Sequence, residues 1–292
     1  MLSQFSPFNI ERAGVCLHGR RGGQGAALLL LHGHPQSHVM WHRVAPQLAE
    51  RFSVVMMDLR GYGDSGRPPS DESHRMYSKR EMAQDALAVM KHHGHDRFQV
   101  LAHDRGARVA HRLAADFPDA VERMLLLDIA PTLAMYDNTT LAFAKAYWHW
   151  FFLIQPPPLP EALIDSDPVR FVRSVMGKRH AGLSAFAPEA LAEYERCAQI
   201  AGSGHSIAED YRASASIDLD HDRADVVAGR KLNQALRVLW GEQGIVGQCF
   251  DVLALWRERA HQVSGQPVPC GHYIAEELPA VLLDEAFRFF RS

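Results

Sequence analysis

Cysteine is scarce. Cys16, Cys197, Cys249 and Cys270 stand alone, without a C-x-x-C pair. That spacing excludes a zinc-finger or disulfide framework and fits a reduced, cytoplasmic protein. Long hydrophobic runs are missing: the longest, Ala26–Leu31, is far too short to span a bilayer. The opening "MLSQFSPFNIERAG" also has no apolar stretch of signal-peptide length. Nor does one sign of charge dominate. With 31 Lys+Arg against 34 Asp+Glu and a net charge of −3, neither nucleic acid nor an anionic membrane is expected as a partner. There is no internal repeat, and "PPPLP" at 156–160 is the one low-complexity tract. What remains is an ordinary globular composition, 47% hydrophobic and 22% charged over 292 residues. That length can bury a substantial core.

Short apolar runs closed by glycine or turn residues read as buried strands at 27–33, 52–61, 98–104, 121–131 and 235–241, with a further strand at 261–269. Helical spacing of apolar residues marks 78–94, 106–118, 250–260 and a last helix from about Pro279. Strands alternating with helices predict an α/β fold, a mostly parallel sheet covered on both faces. From about 133 to 232 the alternation gives way to aromatic, proline-rich and polar helical pieces such as "AYWHWFFLIQPPPLPEALI". The expected organisation is therefore a core in two parts, 1–132 and 233–292, with a helical cap at 133–232 lying over the strand ends.

One stretch demands chemistry. In "VLAHDRGARVAH" a strand ends in Ala102-His103-Asp104-Arg105-Gly106 and a helix follows at once. Small-x-nucleophile-x-small between strand and helix is the nucleophile elbow of α/β-hydrolases, here with a carboxylate, Asp104, as the nucleophile. The other parts then follow in order. "HGHP" at 32–35 supplies an oxyanion loop, with the backbone N–H of His34 paired with that of Arg105. "PCGHYIAEE" supplies His272 as base; position, not residue type, singles it out among 17 histidines. His103 neighbours the nucleophile but points to the other face of its strand and reads as structural. The acid orienting His272 is expected to be Asp128, at the end of the strand after the elbow helix. The more usual position, after strand 235–241, reads Gly241-Glu242-Gln243-Gly244 and leaves Glu242 as the fallback.

The sequence resembles the fluoroacetate (haloacetate) dehalogenases, in the haloalkane dehalogenase and epoxide hydrolase branch of the α/β-hydrolases. The likeness runs over nearly the whole chain, through "HGHPQSHVMWHRVAPQLA", "DLRGYGDS", "AHDRGAR", "LLLDIAPT", "AYWHWFFLIQP", "DYRAS" and "GHYIAEELP". "HDRGAR" joined to "AYWHWFF" and "DYRAS" is the specific part. It implies that Asp104 displaces halide from a haloacetate to form an ester, which water activated by His272 and Asp128 then hydrolyses. Arg105 and Arg108, three apart on one helical face, would hold the substrate carboxylate. This would explain two cations at the end of a helix whose dipole disfavours them. The halide ligands map onto His149, Trp150 and Tyr211. Neither cofactor nor metal is implied, and a homodimer is compatible. One departure stands out: the family usually has phenylalanine where this chain has His34, making the pocket wall polar.

Two rivals use the same residues differently. An epoxide hydrolase would keep Asp104, His272 and the acid and cast Tyr147 and Tyr211 as epoxide activators, leaving Arg105 and Arg108 no substrate charge to meet. A non-catalytic receptor on the same fold could lose the triad and keep the pocket; this chain retains every member.

Overall fold

The structure is a computed structural model that describes residues 1–291. An eight-stranded sheet runs in the order β1-β2-β4-β3-β5-β6-β7-β8. Its strands are β1 Ser6–Arg12, β2 Val15–Gly22, β3 Ala26–Leu31, β4 Phe52–Met57, β5 Phe98–His103, β6 Val121–Leu127, β7 Ala235–Gly241 and β8 Val263–Val268. From β4 through β8 every pairing is parallel, while β1 and β2 join antiparallel at one edge. This is the α/β-hydrolase architecture that the elbow motif predicts.

Period two along the strands builds the core. Leu29, Leu31, Val55, Met57, Val100 and Ala102 pack in a cluster on one face of the sheet, and Leu28, Leu30, Val54, Met56 and Leu101 in a cluster on the other. Burial on both faces is why these strands read as continuous apolar runs rather than alternating ones. Each large side chain so buried is worth roughly 1.5–3 kcal/mol over exposure.

The sequence reading omits the β1–β2 hairpin. It lies at the edge of the sheet, β1 outermost, and many of its residues are only partly covered or exposed. Ala13-Gly14 turns the chain with positive φ at both residues, 48° and 76°, the geometry of a two-residue hairpin turn. The elbow helix also starts earlier than read, at Asp104 itself, and spans Asp104–Asp116. Between β6 and β7 the described residues form eight α-helices, among them Trp148–Leu153, Pro168–Gly177 and Ser203–Ser214. No helix among the described residues is long and apolar enough to cross a membrane.

Topology fixes where chemistry can sit. After β3 the chain crosses to β4 on one side, then returns to β5 on the other. Such a switch point leaves a crevice beyond the carboxyl ends of β3 and β5. Leu31 pairs with Ala102 there, so the loop from His32 and the elbow at Asp104 leave the sheet side by side.

Candidate active site

Asp104 sits at the crevice with φ of 44°, a left-handed conformation rare for a residue with a side chain. The close packing needs glycines around it. A Cβ on Gly106 would lie 2.4 Å from the His32 carbonyl oxygen, and one on Gly33 would lie 2.5 Å from the Cβ of Asp104. The amide of His34 donates to Asp104 Oδ1 at 3.0 Å, which leaves Oδ2 as the attacking oxygen. When an ester on Asp104 is hydrolysed, charge develops on the oxygen that this amide already holds. Arg105, next in the first turn of the helix, has one of the amides that lack an intrahelical partner. His32 fixes the loop: its Nδ1 donates to the Gly33 carbonyl at 2.9 Å and its Nε2 accepts from the Leu59 amide at 3.0 Å.

The structure brings together His272 and Asp128, the expected base and acid. His272 Nδ1 lies 2.5 Å from Asp128 Oδ2, and Asp128 Oδ1 accepts the Gly241 amide at 2.9 Å. With Nδ1 donating to the carboxylate, Nε2 keeps its lone pair for water. Gly244 explains why the usual acid position is vacant, since a Cβ there would come within 3.1 Å of Asp128 Oδ1. Glu242 is exposed and takes no part. His103 is structural but not remote. Its Nε2 donates to the His272 carbonyl at 3.0 Å, and the two rings lie 4.6 Å apart. Burial, with His272 beside it, pushes the His103 ring down to about 3. Burial opposes charge on Asp104, yet His272, His103, Arg108 and Arg105 outweigh it and hold the carboxyl well below its usual range.

Both arginines expected to hold the substrate carboxylate are buried, but the guanidinium fork of Arg105 is closed on Asp210. Its Nε and Nη2 donate to the two carboxylate oxygens at 2.8 Å each, and Nη2 also reaches Ser214 Oγ at 2.5 Å. Lys79 and Tyr62 converge on the same Asp210. The charge of Arg105 is therefore met by the helix Ser203–Ser214, and only its Nη1 is buried without a partner. Arg108 has no carboxylate partner among the described residues. Its Nη1 donates to Thr132 Oγ1 at 2.8 Å, its guanidinium lies 4.7 Å from the Trp150 ring centre, and its Nε is buried and unpartnered.

His149, Trp150 and Tyr211 do come together over the elbow. The Tyr211 ring lies 5.8 Å from His149 and 6.3 Å from Trp150, with Arg105 4.2 Å from its centre. The indole N–H of Trp150 is buried without an acceptor. Burial drives the His149 pKa well down, so its ring is neutral and offers one N–H. His34 closes the wall, its ring 6.1 Å from His149 and 5.4 Å from Tyr211, both nitrogens buried and unpartnered.

Three residues escaped the sequence reading. Asp210 lies 105 positions from Arg105, and no local pattern links them. Tyr273 follows the base and packs 4.9 Å from its ring. Arg179, just past the helix Pro168–Gly177, stacks 4.3 Å from the centre of Tyr147. A hollow of about 240 Å³ beside His111, Gln234 and Arg259 shares no residue with this site. His18, His38 and Asp58 gather closely enough for a metal, but Asp58 already accepts the His38 amide, the His38 ring and the Asp64 amide.

Comparison with known proteins agrees with this fold. The family described as the alpha/beta hydrolase fold matches residues 26–163. A fluoroacetate dehalogenase from Burkholderia sp is 40% identical, over 93% of this chain and 88% of that protein. The chain belongs to the α/β-hydrolase family. A soluble epoxide hydrolase from Corynebacterium sp. strain C12 is also similar to this hydrolase, 35% identical over 95% of this chain and 94% of the relative. Among solved structures, a protein from Nostoc sp PCC 7120 classed with the α/β hydrolases superposes with a TM-score of 0.96. It is 52% identical and is covered over 99% of both chains. The hydrolase thus has relatives named for two chemistries.

Proposed function

We propose that this hydrolase is a haloacetate dehalogenase, converting fluoroacetate or chloroacetate to glycolate and halide. The observation that carries the reading is Arg108, a buried cation beside Asp104 with no carboxylate partner among the described residues. Asp104 offsets this charge from nearby without bonding to it, and a haloacetate carboxylate supplies a bonded anion where a neutral epoxide does not. The unpartnered Nη1 of Arg105 and Nε of Arg108 are the two donors this carboxylate would take.

Asp104 Oδ2 attacks the halogen-bearing carbon, a C–O bond forms, and the halide leaves with the bonding electrons toward His149, Trp150 and Tyr211. Water then loses a proton to His272 Nε2 and adds to the Asp104 carbonyl. The oxyanion forms against the His34 amide, and the ester opens to regenerate the carboxylate. Asp128 stabilises the imidazolium. The helical segment 133–232 serves as the cap that carries the halide donors. Four free cysteines suit a cytoplasmic location.

The epoxide hydrolase reading has one favouring observation, the buried Tyr147 hydroxyl without a partner, in reach of a role beside Tyr211. Halide release from fluoroacetate and chloroacetate, measured beside diol formation from an epoxide such as styrene oxide, decides. Halide without diol supports the proposal, diol without halide overturns it, and neither product points to a binding protein.

A further inference from the structure

Arg179 is a third cation at this pocket, and the chemistry above does not use it. It differs from Arg105 and Arg108 in position and in partners. The first two are buried on the elbow helix and lie over Tyr211 and Trp150. Arg179 is half-buried, comes from the segment after the helix Pro168–Gly177, and lies over Tyr147 on another wall. Tyr147 in turn packs 5.5 Å from His149 and 6.4 Å from His272, so the guanidinium stands at the rim of the reacting centre. Among the described residues no carboxylate reaches it within ion-pair distance, and its Nε is buried without a partner.

His34 faces the same space with two unpartnered ring nitrogens, so the pocket that Arg179 rims has a hydrogen-bonding wall there. One monocarboxylate with its halide is already served by Arg105, Arg108, His149, Trp150 and Tyr211. The surplus donors belong to another wall than these two arginines: Arg179 is half-buried, and the His34 ring beneath it lies 6.1 Å from His149.

We infer that Arg179 and His34 form a second anion subsite, and that the enzyme accepts 2-haloacids bearing a second carboxylate, with 2-chlorosuccinate as the simplest case. The inference rests on the dehalogenase reading. The reacting end binds as a haloacetate does, and the distal carboxylate meets Arg179 at the rim with His34 donating from below. Asp104 forms its bond to the chlorine-bearing carbon as chloride leaves with the electron pair. Water then splits the ester, and 2-hydroxysuccinate departs.

The test measures chloride release from chloroacetate and from 2-chlorosuccinate by the full chain and by Arg179→Met and Arg179→Lys. The native enzyme should turn over both. In Arg179→Met the kcat/KM for 2-chlorosuccinate should fall about ten- to a hundredfold relative to that for chloroacetate, as expected for losing a charge-assisted pair. Most of that change should lie in KM. Arg179→Lys should recover part of it. If Arg179 only neutralised Asp104 and Asp128, the ratio between the substrates would stay constant, which overturns the subsite. Chloroacetate turnover without any 2-chlorosuccinate turnover overturns it as well and leaves the dehalogenase reading intact. Absence of chloride from chloroacetate overturns both.

Discussion

The triad and the donors that surround it are finished to different degrees. At the strand ends, Asp104 Oδ1 has the His34 amide, Asp128 has the Gly241 amide and His272, and the His272 carbonyl has His103. Around them, Trp150 Nε1, the Tyr147 hydroxyl, Arg179 Nε, the His34 ring nitrogens, Arg105 Nη1 and Arg108 Nε have no partner. A buried donor left unmade costs about 1–3 kcal/mol, a cost that bonding to a ligand or to water removes. On the proposed reading, the catalytic groups are therefore preorganised by the protein, while the recognition groups are left for what binds. The difference separates two questions. The triad tells how the reaction runs; the wall tells on what.

The largest effect expected from breaking the prebuilt side is at its centre. Asp104→Asn keeps the shape and removes the nucleophile, and steady-state turnover should drop roughly ten-thousandfold or more with the fold intact by circular dichroism. Turnover near the native rate, without deamidation by mass spectrometry, would take Asp104 out of the role. Next comes the acid. Asp128→Asn should lower turnover roughly a hundred- to a thousandfold, while Glu242→Gln, on an exposed side chain, should change little. The reverse order would mean that the acid is misassigned.

The wall should show itself as a dependence on leaving group. Fluoride leaves badly and accepts strong hydrogen bonds, so Tyr211→Phe and Trp150→Phe should each slow defluorination roughly ten- to a hundredfold. Chloride release from chloroacetate should fall clearly less. Equal losses would reduce these residues to shaping the pocket.

What could be read in advance follows the same division. The triad was legible because each member stands at a strand end, in chain order, beside small residues whose spacing has a mechanical reason. Asp128 is the expected acid because Gly244 leaves the alternative position bare, and the structure sets its carboxylate against His272. The partner of Arg105 was not legible: Asp210 reaches it across the pocket from a helix far along the chain, and "DYRAS" advertises its tyrosine rather than its aspartate. Arg179 sits in "GKRHAG", a polar helix end whose side-chain direction no periodicity reveals. The β1–β2 hairpin escaped because its polar, half-covered strands lack an apolar run.

The smallest effect tests the burial behind the prebuilt side. Burial pushes His34, His103 and His111 each down to about 3, so the folded protein keeps these rings neutral. The unfolded chain protonates them near pH 6.5. Stability from this source is therefore complete above that pH and is lost as pH falls toward 3. His38, raised overall where Asp58 outweighs burial, works weakly in the opposite sense. The urea midpoint should decline steadily from pH 6.5 to 4.5; a flat profile would mean the rings are hydrated in the folded state.

The account turns on a covalent ester at Asp104 formed by one half-site and hydrolysed by another. His272→Asn separates the two, because the base acts only on water. Mixed with chloroacetate, this variant should release about one chloride per active site and then stop. Intact-protein and peptide mass spectrometry should find the carboxymethyl ester on Asp104. Steady multiple turnover, or a burst with the adduct on another residue, would contradict it.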